Sequence, residues 1–487
     1  MASLDDLFYP KSLAIVGAST SPLNFGSGFF TIAMEELGYE GKVYYINPKH
    51  VGELINGEKI IGSLDEVEGP IDVVYSCIRA SLVPELVRQC VRRGDKFIIV
   101  FTSGFSELLT NEAIALENEL RSIIRGSSTR IVGPNCLGPY NPSMGVGWNT
   151  GISEPILKKG NVAFASQSGG HASTLLRIAA GRAIYFTLGL SFGNQIDLNS
   201  LDALEYFAQN QDTEVIALYM EDTGSAKGSD FFKALKKITP KKPVIIWKGG
   251  QTESGARAAA SHTGAMSGSF NMWRSMTKQA GSMIVRNGDE FWDAIHLLAT
   301  LPKNKWRICK NLGLLIPGGG HSVEGTDAFT QFGFNVPVLT RETQDKIANI
   351  LPSVNTSVKN PIDLGASGML ETVFFKTLKF MAEDPNVDLV INFQPIDWIA
   401  MGEAQFVGVG YSRYAARSYG RLVKKLEKPF IQLSPIFNFD KKTAQVFSTF
   451  IEILRQKGIP HFTSMRRLAV ALSHLNEYVQ FLKHDKK

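Results

Sequence analysis

The chain has 487 residues, 44% hydrophobic and 20% charged, with a formal net charge of +5. This is the composition of a globular protein with length for about three domains, and the small positive excess points to local basic sites, not a surface that coats nucleic acid. The acidic start MASLDDLFYP does not read as a signal peptide, and no apolar run reaches the roughly 18 residues that span a bilayer. The four cysteines, Cys77, Cys90, Cys136 and Cys309, form no CxxC pair and no metal spacing, so a reducing cytoplasm is expected and no bound metal.

In chain order, apolar runs that read as strands are SLAIVG, KVYYIN, IDVVYSCI, KFIIVF, NVAFAS, EVIALYME, PVIIWKGG, LGLLIPGGG, DLVINFQP and PFIQLS. Amphipathic stretches such as LVPELVRQCVRRG and KIANILPSV fall between them. Continuous Val/Ile/Leu runs separated by helical crossovers are the pattern of parallel strands buried on both faces. The expected class is therefore α/β, with three doubly wound, Rossmann-like and flavodoxin-like domains whose sheets are largely parallel. Pro139–Gly160 is rich in Pro, Gly and Asn, and Leu301–Asn311 is short and basic. Boundaries are expected there, giving domains 1–145, 146–305 and 306–487.

After the first strand, Gly17, Gly26 and Gly28 lie in a loop that enters a helix. Glycine lets backbone approach an anion, and a helix start aims N–H groups at it. A dinucleotide fold would then place an acid about 20 residues on, against the ribose. This chain has Asn47–His50, INPKH, at that place. Lys49 suits a ligand with an extra ribose phosphate, coenzyme A or NADP, although alone it reads as a solvated lysine. In RIVGPNCLGPYNP, tight turns hold Asn135 and Cys136. Cys136 has the chemistry of a nucleophile, a metal ligand or a small buried group, and without a His or Cys partner the buried group is favoured.

FASQSGGHAS places Ser166, Ser168 and Gly169 where a strand passes into a helix, a second anion-binding start. It lacks the glycine two before the serine that a GxSxG elbow needs. IALYMEDTG sets Glu221 and Asp222 at a strand tip, where they are either functional carboxylates or solvated loop acids. GARAAASHTGAMSG surrounds His262 with small residues, and Gly255, Gly264 and Gly268 supply hinges. Such a loop can carry an imidazole into a confined site, where it can accept and pass on a phosphoryl group. A carboxylate on its other nitrogen would fix the tautomer, and Glu221 and Ser166–Ser168 are placed to supply that carboxylate and the phosphate cradle.

IVGAS, VYYINPK, GPNCLG, SQSGG, SFGNQIDLNSLDALEYF, LYME and SHTGA, in this order, resemble the α part of the NDP-forming acyl-CoA synthetases, the superfamily of succinyl-CoA synthetase and the ADP-forming acetyl-CoA synthetases. They cover about the first 300 residues, and a family-like third domain follows LLIPGGGHSVEGTDAF. Each motif is weak alone; their order and spacing are specific. The resemblance implies an acid–thiol ligase that interconverts acyl-CoA, ADP and phosphate with carboxylate, CoA and ATP through acyl phosphate and phosphohistidine. His262 would be phosphorylated and Glu221 would orient it. Ser166, Ser168 and Gly169 would hold phosphate. Gly17, Ser19, Lys49, Asn135 and Cys136 would bind coenzyme A. The third domain would be the ligase–CoA domain.

No segment reads as a nucleotide-grasping domain, so the resemblance implies an ATP-grasp β subunit carrying ATP/ADP and Mg2+, in a hetero-oligomer of two α and two β subunits. The small substrate is a carboxylic acid or its acyl-CoA, with no nucleic acid or membrane partner. The chain departs from the family at Ile78–Arg79 and at His171, which is a possible substrate contact or a helix-start residue without a role. Trp148, Trp247 and Trp398 are bulkier than expected and either shape a pocket or fill a core. The competing readings are a CoA-binding regulatory or scaffold protein without catalysis, and an NAD(P)-dependent oxidoreductase, which the absent ribose acid disfavours.

Overall fold

The computed structural model describes residues 2–21, 26–148, 158–263, 269–352, 354–405, 410–438 and 440–485. The chain divides into two compact units, Met1–Ala180 with Ile184–Arg286, and Gly181–Ala183 with Asn287–Lys487. Its described strands form three sheets.

The first unit holds two of them. One consists of β1 (Ser12–Val16), β2 (Lys42–Ile46), β3 (Leu54–Ile55), β4 (Glu58–Ile61), β5 (Val73–Ser76), β6 (Phe97–Val100) and β7 (Arg130–Val132). Their order is β3-β4-β2-β1-β5-β6-β7, and all pairs are parallel except β3 with β4. β1 lies between β2 and β5, in register Ser12↔Lys42 and Leu13↔Val73. The four residues of β5 and of β6 are all buried, because helices such as Val83–Arg93 and Asn111–Ile124 cross over between the strands and cover the sheet. This is the Rossmann winding, which reverses direction at β1.

The second sheet consists of β8 (Gly138–Tyr140), β9 (Val162–Ser166), β10 (Phe186–Ser191), β11 (Val215–Met220), β12 (Val244–Lys248) and β13 (Met283–Val285). Its order is β13-β12-β11-β9-β10-β8, parallel apart from β8, which runs antiparallel on the edge of β10. Without β8 this is the flavodoxin winding, reversing between β9 and β11. The two sheets are held together by charge. Arg130 Nε donates to both carboxylate oxygens of Asp197 at 2.9 Å, and Asp197 also accepts from Ile131 N–H. Arg121 donates to the Ile196 carbonyl at 2.6 Å.

In the second unit β14 (Leu312–Leu315), β15 (Leu389–Phe393), β16 (Phe430–Leu433) and β17 (His461–Phe462) form a parallel sheet in that order. Single bridges from Asn335 and Ile362 run along the other edge of β14. Ile347, Leu378, Met381, Val390, Phe430 and Phe450 belong to its core. The helix Gly288–Thr300 packs on the C-terminal helix Met465–Asp485, and Asp293 there accepts from both Arg182 and Arg467. Among the described residues no helix is long and apolar enough to cross a membrane, and no group of His, Cys, Asp and Glu is arranged to hold a metal ion.

Candidate functional site

In doubly wound sheets a crevice opens at the carboxyl ends of the strands where the winding reverses. The first unit has two such places, and the fold turns them toward one cleft of about 770 Å³. From the first sheet come Gly26, Phe29, Cys77, Ile78, Arg79 and Phe101; from the loop after β7 come Asn135 and Cys136; from the second sheet come Gln167, Ser168, Gly169, Asn194 and Glu221.

On the first-sheet side, β1 leaves through Gly17 at φ 90°, where a Cβ would stand 2.7 Å from the Cys77 carbonyl oxygen. Only glycine lets the two strand ends pass so closely. The Gly17 N–H is itself donated to the Ile46 carbonyl, so Gly17 gives passage and not an amide to a ligand. The helix Gly28–Glu36 begins beside Gly26 without a side-chain cap, and the buried Ser27 hydroxyl has no partner among the described residues. An uncapped helix start fits a diphosphate, while the buried Ser27 is not among the described residues that line the cleft. Arg79 is exposed and lines the cleft. Ser19 accepts from Ser21 N–H, and Lys49 is exposed just beyond β2, its N–H on Asn47 Oδ1. Asn47 in turn donates to the Ala18 carbonyl at 2.7 Å, which ties the Lys49 turn to the loop after β1. Gly17, Ser19 and Lys49 are not among the described residues that line the cleft.

Asn135 stands at φ 59°, which puts the following Cys136 inward. The Cys136 thiol is 2% exposed and lies against the Val132 and Val100 carbonyls at 3.3 and 3.6 Å. Burial pushes its ionisation far up, so it is a packed thiol at the cleft wall and not a thiolate nucleophile.

On the second-sheet side, β9 ends at the fully buried Ser166, whose hydroxyl donates to the Ser168 carbonyl at 2.7 Å. Gln167 then joins the two strand ends of the switch point. Its Oε1 accepts from Glu221 N–H at 2.7 Å and Asp222 N–H at 3.3 Å, and its Nε2 donates to Asp222 Oδ2 at 3.1 Å. Ser168 caps the helix Gly169–Gly181, accepting from His171 N–H at 3.3 Å. The His171 ring, 3.2 Å from the same hydroxyl through Nδ1, stacks on Tyr219 with centroids 4.2 Å apart and meets the Trp247 edge at 4.8 Å. Tyr219 Oη donates to Glu221 Oε1 at 3.2 Å. The pair fits because residue 249 is glycine: a Cβ there would be 2.8 Å from Tyr219 Oη and 3.0 Å from Glu221 Cγ. Burial first, and then the Glu221 charge, raise the Tyr219 ionisation. Lys248 is fully buried at the end of β12, its ammonium on the Gly249 carbonyl, and burial lowers its pKa against the opposing charges of Asp222 and Glu221.

The two acids at this strand tip divide. Glu221, 6% exposed, lines the cleft. Asp222 holds the turn, accepting from Gln167, Gln195 and Gly224 N–H. His262 falls within the helix Glu253–Thr263, while its side chain, with Gly264 and Gly268, lies outside the described residues. That helix runs beside the turn Ser106–Leu108. Glu107 of this turn accepts from Asn194 of the cleft at 2.7 Å. Trp148 is core, packed on Tyr140 and Phe164.

Among the sequence-derived candidates, the structure therefore gathers Asn135, Cys136, Ser168, Gly169 and Glu221 in one cleft. Gln167, Asn194, Cys77 and Phe101 were not singled out. Gln167 carried a signal: a long polar side chain between two serines at a strand end, where burial obliges it to bridge neighbours.

Residues 11–142 match the family described as a CoA binding domain, and residues 159–298 match the succinyl-CoA ligase like flavodoxin domain. The chain is 32% identical to acetate–CoA ligase [ADP-forming] II subunit alpha of Pyrococcus furiosus, covering 96% of both chains. It is 31% identical to acetate–CoA ligase [ADP-forming] I of Archaeoglobus fulgidus, over 98% of this chain but 64% of that longer one. Among solved structures, the Ca. Korarchaeum cryptofilum dinucleotide forming acetyl-coenzyme A synthetase 1 in complex with phosphate and ADP superposes with a TM-score of 0.81 at 28% identity, covering 99% of this chain and 98% of that one. Two switch-point loops facing one cleft, on a Rossmann and a flavodoxin sheet in this order, are thus found together with likeness along the whole length, and the chain belongs to the NDP-forming acyl-CoA synthetase superfamily, as an α-type member.

Proposed function

We propose that the protein is the α subunit of an ADP-forming acyl-CoA synthetase. The observation that carries this reading is the single cleft lined by Gly26 and Phe29 at an uncapped helix start, by the Ser168–Gly169 helix start and by Glu221. Coenzyme A enters from the first sheet, with its diphosphate at the Gly26–Gly28 start, Arg79 as counter-charge, and Lys49 toward the ribose phosphate. Asn135 and Cys136 lie near the thiol. Phosphate sits at the Ser168–Gly169 amides, in reach of the thioester carbonyl.

Phosphate oxygen attacks that carbonyl and the CoA thiolate leaves, giving acyl phosphate and CoA. The His262 imidazole then takes the phosphoryl group and releases the carboxylate. Finally ADP accepts the phosphoryl group and ATP forms. A bare carboxylate is a poor electrophile, which is why the reverse direction passes through the same acyl phosphate. Glu221, held by Tyr219 and Gln167, accepts from the second imidazole nitrogen, so that the attacking nitrogen keeps its lone pair. The helix bearing His262 passes the Ser106–Leu108 turn that is tied to Asn194 of the cleft, which supports this assignment.

ADP and Mg2+ bind on an ATP-grasp β subunit, a separate chain. Two α and two β subunits assemble in the cytoplasm. The α chain itself is organised as a CoA-binding domain 1–145, a flavodoxin-type domain 146–305 and a ligase–CoA domain 306–487. The test is mass spectrometry at alkaline pH on the protein purified from its own cells. A phosphate on the peptide holding His262, with an ATP-grasp chain co-purifying, is expected. An unmodified peptide after addition of acyl-CoA and phosphate refutes the ligase reading and favours a CoA-binding scaffold.

A further inference from the structure

The second unit contains a cavity of about 530 Å³ that the proposed reaction leaves unused. It lies at the carboxyl ends of β14 and β15, lined there by Pro317 and Gln394. This is the switch point of the third sheet, since the bridges to Asn335 and Ile362 lie on one side of β14 and β15 on the other. Its size is that of a site for a drug-sized molecule.

The walls are aromatic. Phe374, Phe375 and Tyr419 meet edge to face or tilted, with centroids 5.3–5.9 Å apart. Trp398, Met401 and Tyr414 also line the cavity and are 40%, 45% and 44% exposed. Large apolar side chains left this open around a concave site mark a place that takes an apolar partner. Charge narrows the class. No lysine, arginine or histidine is among the described lining residues. The acid there, Glu371, accepts from the Tyr414 hydroxyl through both oxygens at 2.7 Å. A phosphate, nucleotide or carboxylate would meet a negative charge there and find no counter-charge among the described lining residues. One polar group is short of a partner. Asn392 is fully buried and lines the cavity; its Nδ2 donates to Tyr419 Oη and Gln432 Oε1, while its Oδ1 has no donor among the described residues.

We propose that this cavity binds the neutral aromatic ring of a small molecule, and that a hydroxyl on the ring donates to Asn392 Oδ1. A two-carbon acyl group would leave the volume largely empty. The ring belongs to a separate effector, and the site stands independently of the ligase function proposed above.

The test titrates the full chain with p-cresol, toluene and acetate and follows tryptophan fluorescence, with Trp398→Phe to identify the Trp398 signal. A saturable change with p-cresol is expected, about 5–10-fold weaker affinity for toluene through the lost hydrogen bond, and no change with acetate. Ala366→Trp, at an exposed lining position, should weaken p-cresol at least ~10-fold by filling the space. Phe375→Ala should weaken it similarly by removing a wall. No saturable binding, or undiminished binding in both variants with native circular dichroism, overturns the proposal. In the complex purified from its own cells, p-cresol should alter the turnover of acetate, and Ala366→Trp should raise the p-cresol concentration needed at least ~10-fold while leaving turnover without p-cresol unchanged. Turnover unaltered at saturating p-cresol would refute the effector role. Loss of all ligase activity with p-cresol binding intact would refute the ligase function and leave the ring site standing.

Discussion

Acid should loosen the second unit through its two buried histidines, and the share of His461 can be isolated. His461 on β17 is buried among Phe447 and the guanidinium of Arg182, and its Nε2 has no partner among the described residues. Its backbone N–H donates at 2.9 Å to Nε2 of the equally buried His296, which keeps that ring neutral with its proton on Nδ1. Burial, and then the Arg182 charge, lower the His461 pKa from 6.5 to about 3. A depressed folded pKa means that the unfolded chain binds the proton first. The stability is present in full above pH 6.5 and is lost as pH falls toward 3. At 1.36 kcal/mol per pH unit, the 1.5 units between pH 6.5 and pH 5 correspond to about 2 kcal/mol from this one group.

The perturbation is His461→Phe, which keeps the ring volume and the backbone bond to His296 and removes the titration. Urea unfolding of the second-unit transition is measured at pH 7 and pH 5 for both proteins. The wild type should lose about 2 kcal/mol more than the variant between the two pH values. Equal losses would mean that the His461 imidazole takes up no proton on unfolding, and the reasoning would fail.

Three further outcomes concern the cleft. His262→Asn should abolish turnover and leave the dissociation constant for CoA unchanged; residual phosphate on the protein would remove His262 from its role. Tyr219→Phe deletes the hydroxyl on Glu221 and should lower the rate of phosphoenzyme formation about 5–10-fold, as for one lost hydrogen bond, without a change in CoA affinity; an unchanged rate would show that Glu221 is held without Tyr219. Gln167→Leu strands two N–H groups at the β11 end and should destabilise the first unit by about 2–4 kcal/mol, read as a lowered urea midpoint at constant slope.

All ten apolar runs read as strands form strands, because burial on both faces leaves a continuous hydrophobic signature. β10 escaped, since FTLGLS looks too small and polar. Its Gly189 sits where a Cβ would be 2.2 Å from the Phe164 ring on β9, so the residue is dictated by a neighbour that the local sequence does not name. β8 reads as part of a tight Gly–Pro loop but is a strand on the edge of the second sheet, where a proline is tolerated because no further strand needs its N–H. The helix starts beside Gly26–Gly28 and at Ser168–Gly169, where we propose that anions bind, were legible from glycine and serine spacing. The division of labour between Glu221 and Asp222 was not, because it depends on Gln195 and Gln167 arriving from other strand ends. Trp148 proved to be core, Trp247 a wall against His171, and Trp398 part of the cavity in the second unit.

The pair Arg130–Asp197 has a meaning for evolution of specificity. A single Nε–H shared between both oxygens of Asp197, backed by Arg121 on the Ile196 carbonyl, ties together the two sheets that flank the cleft. On the function proposed above, that tie sets the span of the cleft in the scaffold. A lineage that changes its substrate can then remodel surfaces elsewhere and leave the proposed machinery of phosphoryl transfer untouched.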